Sequence, residues 1–151
     1  MPYFRLARIL AKIVRDLYAI KPISASRRAL VTERISRELS DWRVDLAHFL
    51  DAPLRSPPLL GTIFQRQRNV LNLTYWHAII LTYRPYLLTN LARLSRRDRT
   101  DTDSTPAFNA EIEESVKQCL GAAMNTVETI DEITSTSKFF RAFWVSPMRA
   151  E

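Results

Sequence analysis

The stretch LNLTYWHAIILTYRPYLL, Leu71 to Leu88, decides how the chain is read. It is apolar enough to form the core of a helix, yet it carries His77 at its middle and the pair Arg84-Pro85 near its end. Two readings compete: a site, with a metal ligand and a bound anion, or a buried helix that stops at a proline. Pro85 removes one backbone donor and crowds the carbonyl of Leu81, so a helix here is expected to kink or end. His77 stands four residues from Leu73 and four from Leu81. A helical spacing therefore predicts a structural histidine at the edge of the core, with a ring nitrogen bonded to a neighbouring helix. The helix is predicted from about Thr62 to at least Thr82, with Arg84-Pro85 as a helix-end device.

Working outward, helical periodicity recurs along the chain. Leu6, Ile9, Leu10, Ile13, Val14, Leu17 and Ile20 follow the i, i+3, i+4, i+7 spacing of an amphipathic helix, with Arg5, Arg8, Lys12, Arg15 and Asp16 mostly on its other side. Pro2 suits the first turn of that helix and Pro22 its end. A second helix starts near Ser24 or Ser26, either of which can cap it. Its apolar positions are Leu30, Val31, Ile35, Leu39, Trp42, Leu46, Phe49 and Leu50. Asp51–Gly61 holds three prolines and a glycine and reads as a loop. Residues 95–106 are polar, charged and end in proline, as an exposed linker would. A fourth helix, about Ala107 to Ile133, carries the stripe Ile112, Val116, Cys119, Leu120, Ala123, Val127, Ile130 and Ile133. Glu111, Glu113 and Glu114 are read into its first turns, where negative charge suits the helix dipole. Phe139, Phe140, Phe143 and Trp144 then form an aromatic cluster that opens a partial fifth helix.

Composition agrees with this pattern. At 151 residues the chain is about one domain long, and its content is 46% hydrophobic and 25% charged, as in globular chains. Only Gly61 and Gly121 are glycines. Hairpin-rich β architectures draw on glycine at their turns, so an all-α fold follows. A lone Cys119 cannot pair within the chain, which excludes a cystine scaffold and favours a reducing compartment. Arg5, Arg8, Lys12 and Arg15 interrupt the first apolar stretch, unlike a secretory leader. No uncharged run has the character of a membrane span, since Asn72, Thr74 and His77 dilute the 14 uncharged residues of Val70–Tyr83. Charge is uneven: residues 1–100 hold 18 basic and 7 acidic side chains, and residues 101–151 hold 4 and 9.

Few catalytic chemistries survive inspection. His48, His77 and Cys119 are the only imidazole or thiol ligands, and no two have the spacing of a zinc site. Cys119 lies on an apolar stripe, where a thiol behaves as a small hydrophobe. Two glycines cannot build a phosphate-binding loop or a dinucleotide fingerprint. A catalytic reading would require polar groups converging in a cleft around His48 or His77. The chain is expected to be no enzyme and to hold no metal or cofactor of its own. Arg27-Arg28 and the run Arg93, Arg96, Arg97 and Arg99 could contact phosphates or act as an import signal. No recognition motif accompanies them, and Asp98, Asp101 and Asp103 dilute the second cluster.

Taken with its neighbours, NVLNLTYWHAIILTYRPYLL (Asn69–Leu88) resembles the central helix of the fungal-specific transcription factor domain. That domain is the middle homology region of zinc binuclear-cluster transcription factors. The matching residues are Tyr75, His77, Ala78, Ile79-Ile80-Leu81 and Arg84-Pro85-Tyr86-Leu87. Ile35–Leu50, with Leu39 and Trp42, is similar to the family's preceding helix. Ser115–Ile130, with Cys119, Ala122 and Ala123, is similar to the helix carrying Cys-x-x-Ala-Ala, and Phe139–Trp144, with Phe143 and Trp144, to the aromatic start of the next one. The likeness covers about residues 30–145. The family's six-cysteine cluster, which binds zinc and contacts DNA, has no counterpart here.

The resemblance implies a truncated, regulatory, non-catalytic part of a nuclear transcription factor that contributes to control of RNA polymerase II transcription. The fold expected is a single all-α bundle of about four long helices plus a partial C-terminal fifth. Its partners would be the remaining helices of the full-length domain or another protein, with a homodimer also allowed and no membrane. Zinc and DNA would belong to the missing cluster. The alternative is a free-standing basic helical module that binds nucleic acid or an acidic protein. The regulatory reading predicts an exposed apolar face where further helices or a partner sit.

Overall fold

Three of the four helices among the described residues begin on proline. The fixed φ of proline is ready-made for a first helical turn, and its missing N–H would be unpaired there in any residue. The structure, a computed structural model, describes residues 2–19, 23–51, 58–96 and 106–135. Helix α1 spans Pro2–Leu17, α2 Ala25–Asp51, α3 Pro58–Arg96 and α4 Pro106–Ser135. Helix α2 starts differently: Ser24 caps it, its Oγ accepting the Arg27 N–H at 3.3 Å while its carbonyl accepts the Arg28 N–H at 2.9 Å. No strand occurs among the described residues, and the all-α expectation holds.

Two boundaries differ from expectation. Helix α3 starts at Pro58, so the proline-rich connection is shorter than the Asp51–Gly61 loop read from sequence. More consequentially, α3 neither ends at Pro85 nor pauses there; it runs on to Arg96. Pro85 leaves the Leu81 carbonyl without its usual i+4 donor, and the Tyr18 hydroxyl, from the end of α1, donates to that carbonyl at 2.8 Å. The gap in the ladder is filled from another helix. The expected helix-end role of Arg84-Pro85 is therefore overturned. Nor does α4 carry acidic residues in its first turn. Glu111, Glu113 and Glu114 lie one turn or more further in, beyond the range of the dipole.

Helices α1, α2 and α3 form a three-helix core. Leu6, Ile9, Ile13 and Leu17 of α1 meet Ile35, Leu39, Trp42 and Leu50 of α2 and Leu71, Tyr75, Ala78 and Ile79 of α3. Trp42 is wholly buried and stacks on Tyr75, ring centroids 5.7 Å apart and 15° from parallel. The Arg43 guanidinium sits 5.8 Å from the centre of the same Tyr75 ring.

Polar contacts at the seams fix direction. Between α1 and α2, Arg5 pairs with Asp45, Lys12 with Glu38 at 2.7 Å and Arg34 with Asp16 at 3.1 Å. Between α2 and α3, Tyr83 Oη bonds Ser36 Oγ at 3.0 Å, and Arg43 donates to Asn72 Oδ1 at 2.8 Å. Both pairs of helices are antiparallel, so the bundle runs up, down, up.

Helix α4 then packs on α3. Its inner face is Ile112, Ser115, Cys119 and Ala122, all buried. Three of these four are small, which lets the two backbones approach closely. The Cys119 thiol points at the Ile80 carbonyl, 3.9 Å away.

Candidate functional site

The residues singled out from sequence divide into three groups. Leu39, Trp42 and Tyr75 are core residues. Cys119 is also buried, and desolvation pushes its thiol above the ordinary cysteine value, with the Arg84 charge acting the other way. A thiol so placed is a poor nucleophile. His77 departs from expectation: it faces solvent, not the core edge. Position 77 lies about 100° around the helix from buried Ala78, enough to turn it outward. Arg84 is exposed, and Pro85 is half-buried within α3. Arg97, Arg99, Phe143 and Trp144 lie outside the described residues, as do the side chains of Arg93 and Arg96, so the basic cluster and the partial fifth helix have no structural description.

Two surfaces emerge in place of those single residues. The first is a face of α4. Leu120, Met124 and Val127 recur at i, i+4 and i+7 and are 51%, 64% and 66% exposed. Val116 and Ala123, half-buried, border them, and Ile130 extends the face toward the helix end. Sequence reading merged Val116, Leu120, Ala123, Val127 and Ile130 with Ile112 and Cys119 into one stripe and left Met124 out of it. The correction is geometric: Leu120 and Val127 lie roughly 80–100° around the helix from the Cys119 side, turned away from α3, the described helix on which α4 packs. The apolar spacing alone held no signal that separates the two sides of the stripe.

The second is a groove of about 830 Å³ between the start of α1, the end of α2 and residues 66–71 of α3. Tyr3, Leu46, Phe49, Val70 and Leu71 give it apolar walls. Asp45, His48, Arg66 and Gln67 supply its polar groups. Asp45 is already engaged by Arg5. Of the two histidines, His48 lines a cleft and His77 does not line this one. No sequence motif marks the groove, because its wall residues come from three helices.

Among the described residues, no three His, Cys, Asp or Glu side chains converge as metal ligands. No described helix is long and apolar enough to cross a membrane. Set against family models, curated proteins and solved structures, the chain finds no match in any of the three comparisons.

Proposed function

We propose that this chain is a regulatory, non-catalytic helical domain of a nuclear transcription factor, contributing to control of transcription by RNA polymerase II. The observation that carries this reading is the apolar face of α4, on which Leu120, Met124 and Val127 recur at helical spacing and stay exposed. A contiguous apolar face is characteristic of an interaction surface. In this reading it receives further helices of the regulatory domain or a protein partner. Zinc and direct contact with DNA belong to a separate six-cysteine cluster. Residues of the resemblance fit a structural role: Leu39, Trp42, Tyr75 and Cys119 are buried where helices meet. The basic-module alternative would draw on Arg27-Arg28 and on Arg93, Arg96, Arg97 and Arg99, and the side chains of the last four lie outside the described residues.

The test is a reporter assay in a fungal nucleus. The full chain, fused to an unrelated DNA-binding domain, is expected to change reporter output relative to that DNA-binding domain alone. Substituting Met124→Glu and Val127→Glu should abolish the change while shifting stability by no more than about 0.5 kcal/mol each, as exposed sites usually do. Unchanged output from the fusion defeats the proposal. Binding of the unfused chain to duplex DNA, falling steeply as salt rises, would favour the basic module instead.

A further inference from the structure

We infer that the exposed face of α4 pairs with the same face of a second copy of this chain, the two α4 helices running antiparallel about a two-fold axis. Once the residues buried against α3 are set aside, a seam remains: Val116, Leu120, Ala123, Val127 and Ile130. Its steps of 4, 3, 4 and 3 residues are those of a helix that packs lengthwise along one other helix. From Val116 to Ile130 the seam is about 21 Å long at 1.5 Å per residue. It lies about a quarter turn around α4 from the side that Ile112, Ser115, Cys119 and Ala122 bury. A helix with two neighbours a quarter turn apart occupies a corner of a four-helix bundle. Two α3–α4 pairs, joined α4 to α4, supply the four corners.

Charge along the seam selects both the occupant and its direction. In heptad terms Leu120 and Val127 take position a, and Val116, Ala123 and Ile130 take d. Lys117, Met124 and Asp131 then fall at e, and all three are exposed. Ile112 and Cys119 fall at g, where α3 already buries them. A parallel pair sets e against g, which here is the closed flank. An antiparallel pair sets e against e. With the two-fold axis at Met124, Lys117 of each copy faces Asp131 of the other, so one face supplies two opposite-charge pairs. In the seam Leu120 then meets Ile130 of the second copy, and Val127 meets its Ala123, whose small side chain lets the helices close. A contact between identical surfaces requires that the surface complement itself, and this one does. A seam of five side chains is a small interface, so the dimer is weak and reversible, with a Kd in the micromolar range. The inference deepens the proposed function by naming the partner of the α4 face on which that reading rests, and it requires no role in transcription.

The experiment is sedimentation equilibrium of the full chain through the micromolar range at low salt. A monomer–dimer equilibrium is expected, and Val127→Glu should leave only monomer. Lys117→Glu and Asp131→Lys each turn two attractions into repulsions, so each alone should raise the dimer Kd about tenfold or more. Mixed in equal amounts, those two variants should associate about as tightly as the natural chain, because both facing pairs are again of opposite sign. The substituted positions are exposed, and circular dichroism verifies that each variant folds. A chain that stays monomeric, its α4 face covered by another of its own segments or open to a different protein, would overturn the inference. So would a dimer indifferent to Val127→Glu, or a mixture of the two charge variants that does not recover association. A monomeric chain leaves the reporter result standing, and a silent reporter fusion leaves the dimer standing, so the two readings fail separately.

Discussion

Tyr18 and Pro85 form one unit although 63 residues separate Tyr18 from the carbonyl it serves. The hydroxyl matters only because proline leaves the Leu81 carbonyl unfilled. Tyr18→Phe should therefore cost about 0.5–1.5 kcal/mol, the net worth of one hydrogen bond. Pro85→Ala restores the missing donor and a good helix former, so it should stabilise, by at most about 3 kcal/mol. The cost of Tyr18→Phe should then shrink toward zero in the Pro85→Ala background. A urea-denaturation double-mutant cycle measures that coupling; strictly additive effects would show that the two residues act independently. Other residues differ in how plainly the sequence announces them. The burial of Trp42, Leu39 and Cys119 was legible, because each sits on a periodic apolar stripe. The exposure of His77 was not, since flanking leucines two turns apart do not determine which way an intervening residue turns.

At the scale of elements, α1 and α2 read each other through charge. A step of seven along α1, from Arg5 to Lys12, is answered by a step of seven back along α2, from Asp45 to Glu38. A further step of four, from Lys12 to Asp16, is answered by four back to Arg34. The register of the antiparallel pair is written in these intervals, which become visible only once the two helices are known to be neighbours. Lys12 and Glu38 are about one-third exposed, so the pair is worth only ~0.5–1 kcal/mol. Lys12→Glu should lose about that much, Glu38→Lys likewise, and the exchange of both should regain most of it. Thermal melts at low salt are the measurement; a doubly exchanged chain no more stable than either single variant would refute the assigned register. The extent of α3 was less legible. A proline inside a helix is ordinarily a stop signal, and its tolerance here depends on a donor from a distant segment.

At the scale of the whole molecule, ionisation sets the limits of stability. Burial raises Cys119, Tyr18, Tyr75 and Tyr86 above their ordinary values. Each stays protonated in the fold at pH values where the unfolded chain begins to lose its proton. Their contribution is complete below the unfolded values, 9.0 for cysteine and 10.0 for tyrosine, and is lost as pH climbs through the higher folded ones. Asp16 works in the opposite sense: its hydrogen bond from Arg15, opposed by desolvation and joined by the Arg15, Arg34 and Lys12 charges, holds it low. Its contribution is present above the unfolded value of 3.8 and is lost as pH falls through the folded one. Urea midpoints should thus stay level through neutrality and decline above about pH 9; a midpoint that kept rising past pH 10 would contradict the desolvation of these groups in the fold. The all-α class was legible at this scale from two glycines and four periodic segments. Which faces stay open was not, because periodicity shows that a stripe is apolar without showing how many neighbours cover it.

The bond across the bundle also has an inherited consequence. A lineage that exchanges the imino acid at position 85 for an ordinary residue releases position 18 from any need for a phenol. One that keeps the imino acid retains that need. In an alignment of descendants, columns 18 and 85 should drift together, although nothing in the spacing of the chain connects them.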